Sequence, residues 1–348
     1  MKTPAATTST ATSTTAAPTQ AGSPLLSVII VNYNAGRLLS ECVQSVQASL
    51  FVTNDSSVGK SSADKSPAAH TVECIVVDNA SADQSLALLA DLPLVEHRPP
   101  PVIIRNDANL GFAAACNVGI HAATGKYLLF LNPDSVVEPN TLQSLITSLE
   151  SASDIGMVGG LLLNPDGSEQ GGGRRAIPTP WRSFVRAFGL SRFAKRWPEL
   201  FFDFHLHQQA LPTQAVNVEA ISGACMLVRR EALAQVGLWD EQYFLHCEDL
   251  DWCMRFRQAG WQILFVPNAL ITHQQGSCSR SRPIFVEWHK HKGMLRFYRK
   301  FFQKEYPGAL MWIVVVGVWM RFAAAASYHI GKRTLAKAKN SRKSQDLA

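Results

Sequence analysis

The chain has 348 residues, of which 47% are hydrophobic and 17% charged, with a formal net charge of +6. That length admits one large domain or two small ones, and the apolar share suffices for a substantial core. Lys and Arg crowd the last quarter from Arg280 onward, without zinc-finger spacing or an aromatic RNA-binding signature. The charge therefore points to an anionic surface and excludes specific nucleic-acid readout.

Residues 1–24 are a low-complexity Thr, Ala and Ser tract without an apolar core, read as disordered and not as a secretory signal. Leu26 to Val31 is a β-branched buried strand, with Asn32-Tyr33-Asn34-Ala35-Gly36 as its exit loop. Apolar residues at helical spacing (Leu38, Leu39, Cys42, Val43, Val46) predict a crossover helix over Arg37 to Leu50. Residues 52–70 are polar and Ser-rich and read as a surface insertion. Cys74 to Val77 is a second strand ending in Asp78-Asn79-Ala80-Ser81, and Leu86 to Leu92 continues as a helix. After a third short strand, Val102 to Ile104, the run Asn109-Leu110-Gly111-Phe112-Ala113 opens a helix that Gly125 closes.

Leu128 to Leu131 is a continuous apolar run, as expected of a strand buried on both faces, and Asn132-Pro133-Asp134 ends it abruptly. Pro133 cannot donate to a ladder, so Asp134 sits just beyond the carboxyl end of a buried strand, where open α/β sheets bind ligands. The alternation of strand and helix to this point predicts a doubly wound, mainly parallel α/β sheet flanked by helices. Next come a helix over Leu142 to Leu149, a strand at Met157 to Gly159 and a hairpin turn at Asn164-Pro165-Asp166-Gly167. Residues 171–212 carry Gly, Pro, Arg and aromatics without a clear period and read as a substrate loop. Val216 to Val228 returns to strand character; Arg230 to Val236 and Asp249 to Ala259 are helical, and Ile263 to Val266 is a late strand. The seven cysteines, odd in number and with no C-x-x-C pair, read as buried small hydrophobes in a reducing compartment.

The first loop carries one glycine, so the G-x-G-x-x-G phosphate cradle is missing, as is the Walker pattern. Phosphates must then be neutralised by other means, and a divalent cation on Asp134 is the natural substitute. Taken alone, Asp134 reads equally well as a turn residue capping the next helix. Asp78 could accept hydrogen bonds from a base or ribose, or make an Asx turn with Asn79 and Ser81. The densest cluster runs from Trp239 to Arg255 and sets Glu248, Asp249 and Asp251 at a helix start among Phe244, Leu245, Leu250, Trp252 and Met254. A solvated acidic first turn would explain the carboxylates, but these neighbours make a poor solvated face. His273 follows the late strand and could serve as a metal ligand, a phosphate contact or a structural histidine.

Ser27-Val-Ile-Ile-Val-Asn-Tyr-Asn34, Val77-Asp-Asn-Ala-Ser-Ala-Asp83, Asn109-Leu-Gly-Phe-Ala113, Leu131-Asn-Pro-Asp134, Gly223 to Arg230, Glu248-Asp249 and His273 come in the order found in glycosyltransferase family 2. The chain resembles that family over about residues 25 to 300, and most closely its rhamnosyltransferase-like branch. The resemblance implies a GT-A fold, a nucleotide-diphospho-sugar donor, Mg²⁺ or Mn²⁺, and inversion at the anomeric carbon. It puts Asn32 and Tyr33 beside the nucleobase, Asp78 on the base or ribose, and Asn109 and Gly111 at the helix under the nucleotide. Asp134 matches the metal-binding carboxylate of the family's D-x-D motif, whose first Asp is Asn132 here. Asp249 matches the catalytic base with Glu248 adjacent, and His273 a histidine that completes the metal site. Trp239, Trp252 and Arg255 are expected on the acceptor side. The Q-x-x-R-W motif of processive synthases is missing after Glu248-Asp249, which implies transfer of a single sugar.

Residues 309–320 are apolar all round, Arg321 interrupts, and Phe322 to Tyr328 resumes. Basic flanks on both sides favour an in-plane or re-entrant helix on anionic headgroups over a single crossing. A packed C-terminal helix is the alternative. The domains expected are thus a tail (1–24), a GT-A domain (25–300) and an apolar helix with a basic end (301–348). The function expected is an inverting, metal-dependent transferase, cytoplasmic and peripheral at the inner face of the cell membrane. It would move one sugar, rhamnose from dTDP-rhamnose, to a cell-surface glycan or lipid-linked acceptor. The alternatives are hexosyl transfer from a UDP-sugar to another acceptor, or a non-catalytic sugar-nucleotide-binding protein.

Overall fold

The computed structural model describes residues 24–49, 72–93, 99–202, 204–274, 276 and 282–345. The expected tail, the surface insertion at 52–70 and Cys278 lie outside the described residues, Pro24 apart. The other six cysteines are buried and free, in line with their apolar surroundings.

In chain order the elements are β1 (Leu26–Asn32), α1 (Arg37–Ala48), β2 (Val72–Asp78), α2 (Ser85–Ala90), β3 (Val102–Arg105), α3 (Phe112–Ala122) and β4 (Tyr127–Leu131). They continue with β5 (Ser135–Val137), α4 (Thr141–Glu150), β6 (Ile155–Leu163), β7 (Arg174–Arg175), α5 (Pro180–Ala187), β8 (Val216–Asn217) and β9 (Ala220–Ile221). Last come β10 (Cys225–Arg229), α6 (Arg230–Val236), α7 (Glu248–Gln258), β11 (Gln262–His273), α8 (Pro283–Phe302) and α9 (Ala309–Gln345). The main sheet runs β3-β2-β1-β4-β10-β6-β11-β5, with β8 on β11, and β7 pairs separately with β9.

Strands β1 to β4 are parallel, as the alternation of elements predicts. The sheet is mainly parallel, as expected; beyond β4, β10 enters antiparallel between β4 and β6, and β5 is antiparallel to β11. The predicted strand Val216 to Val228 is broken at Ser222-Gly223-Ala224, where Ser222 N–H donates to Gly173 O at 3.0 Å. That turn leaves β9 on β7 and sends β10 into the main sheet. The stretch 171–212, expected as a substrate loop, holds β7, α5 and two 3₁₀ turns. Strand β11 outlasts its predicted end because Pro267, which cannot donate, sits in a register shift between Val266 and Leu270, beyond which pairing resumes.

Two apolar cores lie on the two faces of the sheet. One packs α1 and α4 against Val28, Ile30, Leu129 and Leu131; the other packs α3, α7 and α8 against Ile29, Val31, Leu128 and Phe130. The all-apolar β4 serves both, which is why its sequence does not alternate. Helix α9 is continuous over Ala309–Gln345. Ala309–Lys332 is long and apolar enough to cross a membrane, with mean hydropathy 1.9, and is mostly exposed.

Helix α7 is fastened to α8 by buried charge. Asp251, fully buried, accepts from Arg255 Nε at 2.7 Å and forms an ion pair with Lys300 Nζ at 2.6 Å, and Lys300 also reaches Asp240 at 2.8 Å. Removing the buried carboxylate leaves Arg255 without its acidic partner and Lys300 with Asp240 alone. Asp251→Ala should therefore cost ~3–5 kcal/mol in denaturant unfolding, read as a lower midpoint at unchanged slope.

Candidate active site

The carboxyl ends of β1, β2 and β4 open onto a crevice of ≈ 890 Å³ lined by Tyr33, Asn109, Gly111, Asn132, Asp134, Glu248, Asp249 and His273 among others. It lies outside the strand ends of a doubly wound sheet, the ordinary ligand position for that architecture.

The wall beneath β1 and β2 is a web of Asx and Ser contacts. Asn32 Nδ2 donates to Asp78 Oδ1 at 2.7 Å and to Ser81 Oγ at 3.0 Å, and Ser81 N–H donates to Asp78 Oδ2 at 3.2 Å. Asn32 and Asp78 are buried below the crevice and do not line it. The residue that faces the cavity there is Asn79. Its amide donates to Asn109 Oδ1 at 3.0 Å and Gly111 O at 3.1 Å, and its oxygen accepts from Leu110 N–H at 3.0 Å. Gly111 is required on two counts: its φ is +87°, and a Cβ would come within 2.6 Å of Phe244 O.

On the β4 side, chain order and sheet pairing bring three polar groups together. Asp134 immediately precedes β5, and β5 pairs with the end of β11, Ser135 opposite His273. His273 Nε2 lies 3.2 Å from Asp134 Oδ1 and 3.2 Å from Asn132 Nδ2. Gln170, which sequence reasoning missed, orients the ring. Its amide nitrogen donates to Asn164 Oδ1 at 3.1 Å and to His273 O at 3.2 Å, so its oxygen faces His273 Nδ1 at 2.6 Å. In the neutral ring this network puts the proton on Nδ1 and turns the Nε2 lone pair toward the Asp134 carboxylate. A nitrogen lone pair converging with a carboxylate oxygen in a buried site suits a divalent cation. Among the described residues no group of three or more His, Cys, Asp or Glu side chains comes together, so the protein could supply two ligands, with diphosphate oxygens as the natural complement.

Across the crevice stands the start of α7. His246 and Cys247 take φ of +68° and +71°, an uncommon left-handed pair that costs roughly 1–3 kcal/mol per residue and swings the helix start toward the cavity. Gly293 of α8 permits the close approach, since a Cβ there would meet His246 O at 2.7 Å. Asp249 Oδ1 accepts from Leu250 N–H at 2.8 Å, and Oδ2 accepts from Gly223 N–H at 3.2 Å. Arg175 of β7 makes a short ion pair with the same Oδ2. The sequence gives no periodic signal for Arg175, because it arrives on a two-residue strand inside an irregular stretch. Burial, reinforced by the neighbouring Asp249 charge, pushes the Glu248 carboxyl up to about 8. Burial and Lys290 push His246 down to about 4, so its ring is neutral at physiological pH.

The expectation for Trp239, Trp252 and Arg255 is corrected. Both tryptophans are buried in the core, ring centroids 4.1 Å apart, and neither lines the crevice. Arg255 binds Asp251 and donates to the carbonyls of Val236 and Leu238 at 2.9 and 2.8 Å. Indole rings of that size are held by burial, and Arg255 caps a turn.

Comparison with known proteins agrees with this geometry. The family model described as glycosyl transferase family 2 matches residues 27–237. An N-acetylglucosaminyl-diphospho-decaprenol L-rhamnosyltransferase of Mycobacterium tuberculosis is 30% identical over 224 residues, covering 61% of this chain and 69% of that protein. Among solved structures, GalNAc-T7 with UDP, GalNAc and Mn²⁺ superposes with a TM-score of 0.53 at 18% identity, over 80% of this chain and 48% of that one. A mannosyltransferase from Pyrobaculum calidifontis with GDP-Man and Mn²⁺ gives 0.50 at 16% identity, over 92% and 83%. These likenesses support the GT-A type of fold.

The raised Glu248 carboxyl makes stability depend on pH. The folded protein holds that proton where the unfolded chain has released it, so stability falls as pH rises from about 4.5 to about 8. Glu248→Gln should flatten this slope and raise the melting temperature relative to the parent at pH 8, with little difference at pH 4; calorimetry across that range checks it.

Proposed function

The chain belongs to glycosyltransferase family 2, and from that premise we propose that it transfers a single L-rhamnosyl unit from a nucleotide-diphospho-sugar to a hydroxyl of a lipid-linked glycan acceptor, with inversion. The observation that carries the reading is that Asp134, beyond β4, and Asp249, at the start of α7, open onto one crevice although 115 residues separate them. The name of the mycobacterial relative supports rhamnose as the sugar and a diphospho-prenol as the acceptor class.

The donor's nucleotide lies against Tyr33, Asn79 and Asn109, over the web that Asn32 and Asp78 brace. Asp134 and His273 would hold Mg²⁺ or Mn²⁺. When bound, such a cation would supply Lewis-acid stabilisation of the charge on the departing diphosphate. The acceptor hydroxyl approaches the anomeric carbon from the opposite face, on the α7 side. Arg175 and the Gly223 N–H hold Asp249 Oδ2, so Oδ1, whose partner is the Leu250 N–H, keeps lone-pair capacity for the hydroxyl proton. The C–O bond to the acceptor forms as the bond to diphosphate breaks, and no protein nucleophile is needed. Helix α9 and its basic flanks hold the enzyme at the anionic inner face of the cell membrane, where such an acceptor resides.

Asp249→Asn should leave affinity for dTDP-rhamnose within about two-fold by calorimetric titration while cutting turnover by ~10²–10⁴-fold, the usual worth of a general base. Turnover equal to the parent's would remove Asp249 from that role. Asp134→Ala should weaken donor binding at least ~10-fold when Mn²⁺ is present and much less in chelator, since a lost ligand shell member acts through the ion. Equal affinity with and without Mn²⁺ in both proteins would overturn the metal assignment.

A further inference from the structure

The most unusual surface lies away from the crevice, in the segment that sequence reasoning leaves without structure. Helix α5 is amphipathic in the inverted sense. Val185 is its buried contact, while Trp181, Phe184 and Phe188 (42%, 43% and 63% exposed) form a stacked row outward. Their spacing of three and four residues puts them on one helix face, with ring centroids 5.5 and 4.5 Å apart. The turn that follows exposes Phe193, Trp197 and Leu200 as well. A contiguous exposed patch of large aromatics is a contact surface and not ordinary variation of a soluble exterior.

The charge around the patch selects the partner. Residues 180–201 hold five cationic side chains (Arg182, Arg186, Arg192, Lys195, Arg196) against one acidic, Glu199, and of the five Arg182 is paired with Glu219 at 2.6 Å. Arg192 and Arg196 lie over the rings of Phe193 and Trp197, at 4.8 and 5.9 Å from their centroids. Aromatics that can sink to headgroup depth, edged by guanidinium groups that stay at the phosphates, are the composition of an interfacial element.

Position adds a second, independent argument. Ser183 of α5 accepts a hydrogen bond from Tyr298 of α8 at 2.7 Å, and the other end of α8 packs on α9 through Trp288, Trp319 and Phe322. Helix α5 is thus tied to the helix that carries the long apolar α9, whose exposed face includes Trp312 and Met320. On its other side α5 follows β7, whose Arg175 lines the crevice.

We propose that the aromatic face of α5 and the turn after it is a second membrane-contact surface, seated in an anionic lipid bilayer. Two contacts, α5 and α9, fix the orientation of the protein on the bilayer, which one helix alone leaves free to swivel. The β7–α5 connection then holds the Arg175 wall of the crevice next to the lipid. This surface stands whatever sugar is transferred, because lipid contact involves neither donor nor turnover.

The test uses the full chain and vesicles of phosphatidylcholine with or without phosphatidylglycerol. Vesicles carrying brominated chains should quench a component of the tryptophan emission that is missing in Trp181→Phe, and more so with phosphatidylglycerol present. The triple variant Trp181→Ser, Phe184→Ser, Phe188→Ser, which gives up the Trp181 indole hydrogen bond to Leu200 O at 2.7 Å, should keep the parent's circular dichroism while floating with anionic vesicles ~10-fold less. Equal flotation of parent and triple variant, or identical quenching of parent and Trp181→Phe, would assign membrane binding to α9 alone and overturn the proposal. A concentration-dependent dimer lost in the triple variant at unchanged flotation would assign the patch to a second copy of the chain, and overturn it equally.

Discussion

The packing of Phe130 against Trp252 and Trp239 is the contact on which the rest depends. Phe130 belongs to β4, which delivers Asp134, and Trp252 belongs to α7, which begins with Asp249. The ring centroids of Phe130 lie 5.2 Å from both indoles in edge-on geometry. Three large rings locked in that way leave little freedom for β4 and α7 to shift independently, since interiors are close-packed and resist deformation. The two carboxylates therefore keep their separation across the crevice without touching one another. The tryptophans contribute to the site from beneath, by fixing the distance between its halves.

Within that frame the two neighbouring carboxylates of α7 have different surroundings. Glu248 is buried and sits beside a like charge, so its neutral form is favoured. Asp249 is instead held by Arg175 and the Gly223 N–H. Arg175 arrives on β7, from the stretch that leads into α5. Whatever alters the seating of that stretch therefore acts on the carboxylate proposed as base.

Much of this was legible in the residues. Pro133 stopping an apolar run, the Asx-rich ends of β1 and β2, and acidic residues among large apolar ones at a helix start each encode local chemistry, and the structure brings them to one cavity. Arg175 and Gln170 were not legible, because each acts through tertiary contacts with residues 74 and 103 positions away and belongs to no local pattern. Trp239 and Trp252 were misjudged for a related reason: proximity in sequence to Asp249 does not tell whether a ring faces the crevice or the core. Strand β11 ran on to His273 past a proline that alone argues for termination, since a bulge restores pairing on the far side. The outward face of α5 carries a regular helical period, but period alone does not tell a core-facing stripe from a lipid-facing one.

Asn132 shows how a departure from a family pattern can be read physically. An aspartate there would add a charge near Asp134 but present an acceptor to His273 Nε2, which already converges with one carboxylate. The asparagine amide can instead donate to that nitrogen at 3.2 Å and hold the ring in place. Nε2 has one lone pair, so a cation bound there would displace the Asn132 amide, while Gln170 keeps its hold on Nδ1. On the proposed reading the chain exchanges one anionic ligand for an imidazole oriented by Gln170, and orientation of a histidine by its neighbours is a recognised means of tuning metal affinity. The loss of the first acidic residue and the presence of Gln170 are two parts of one arrangement, which is why neither is intelligible from its own stretch of sequence.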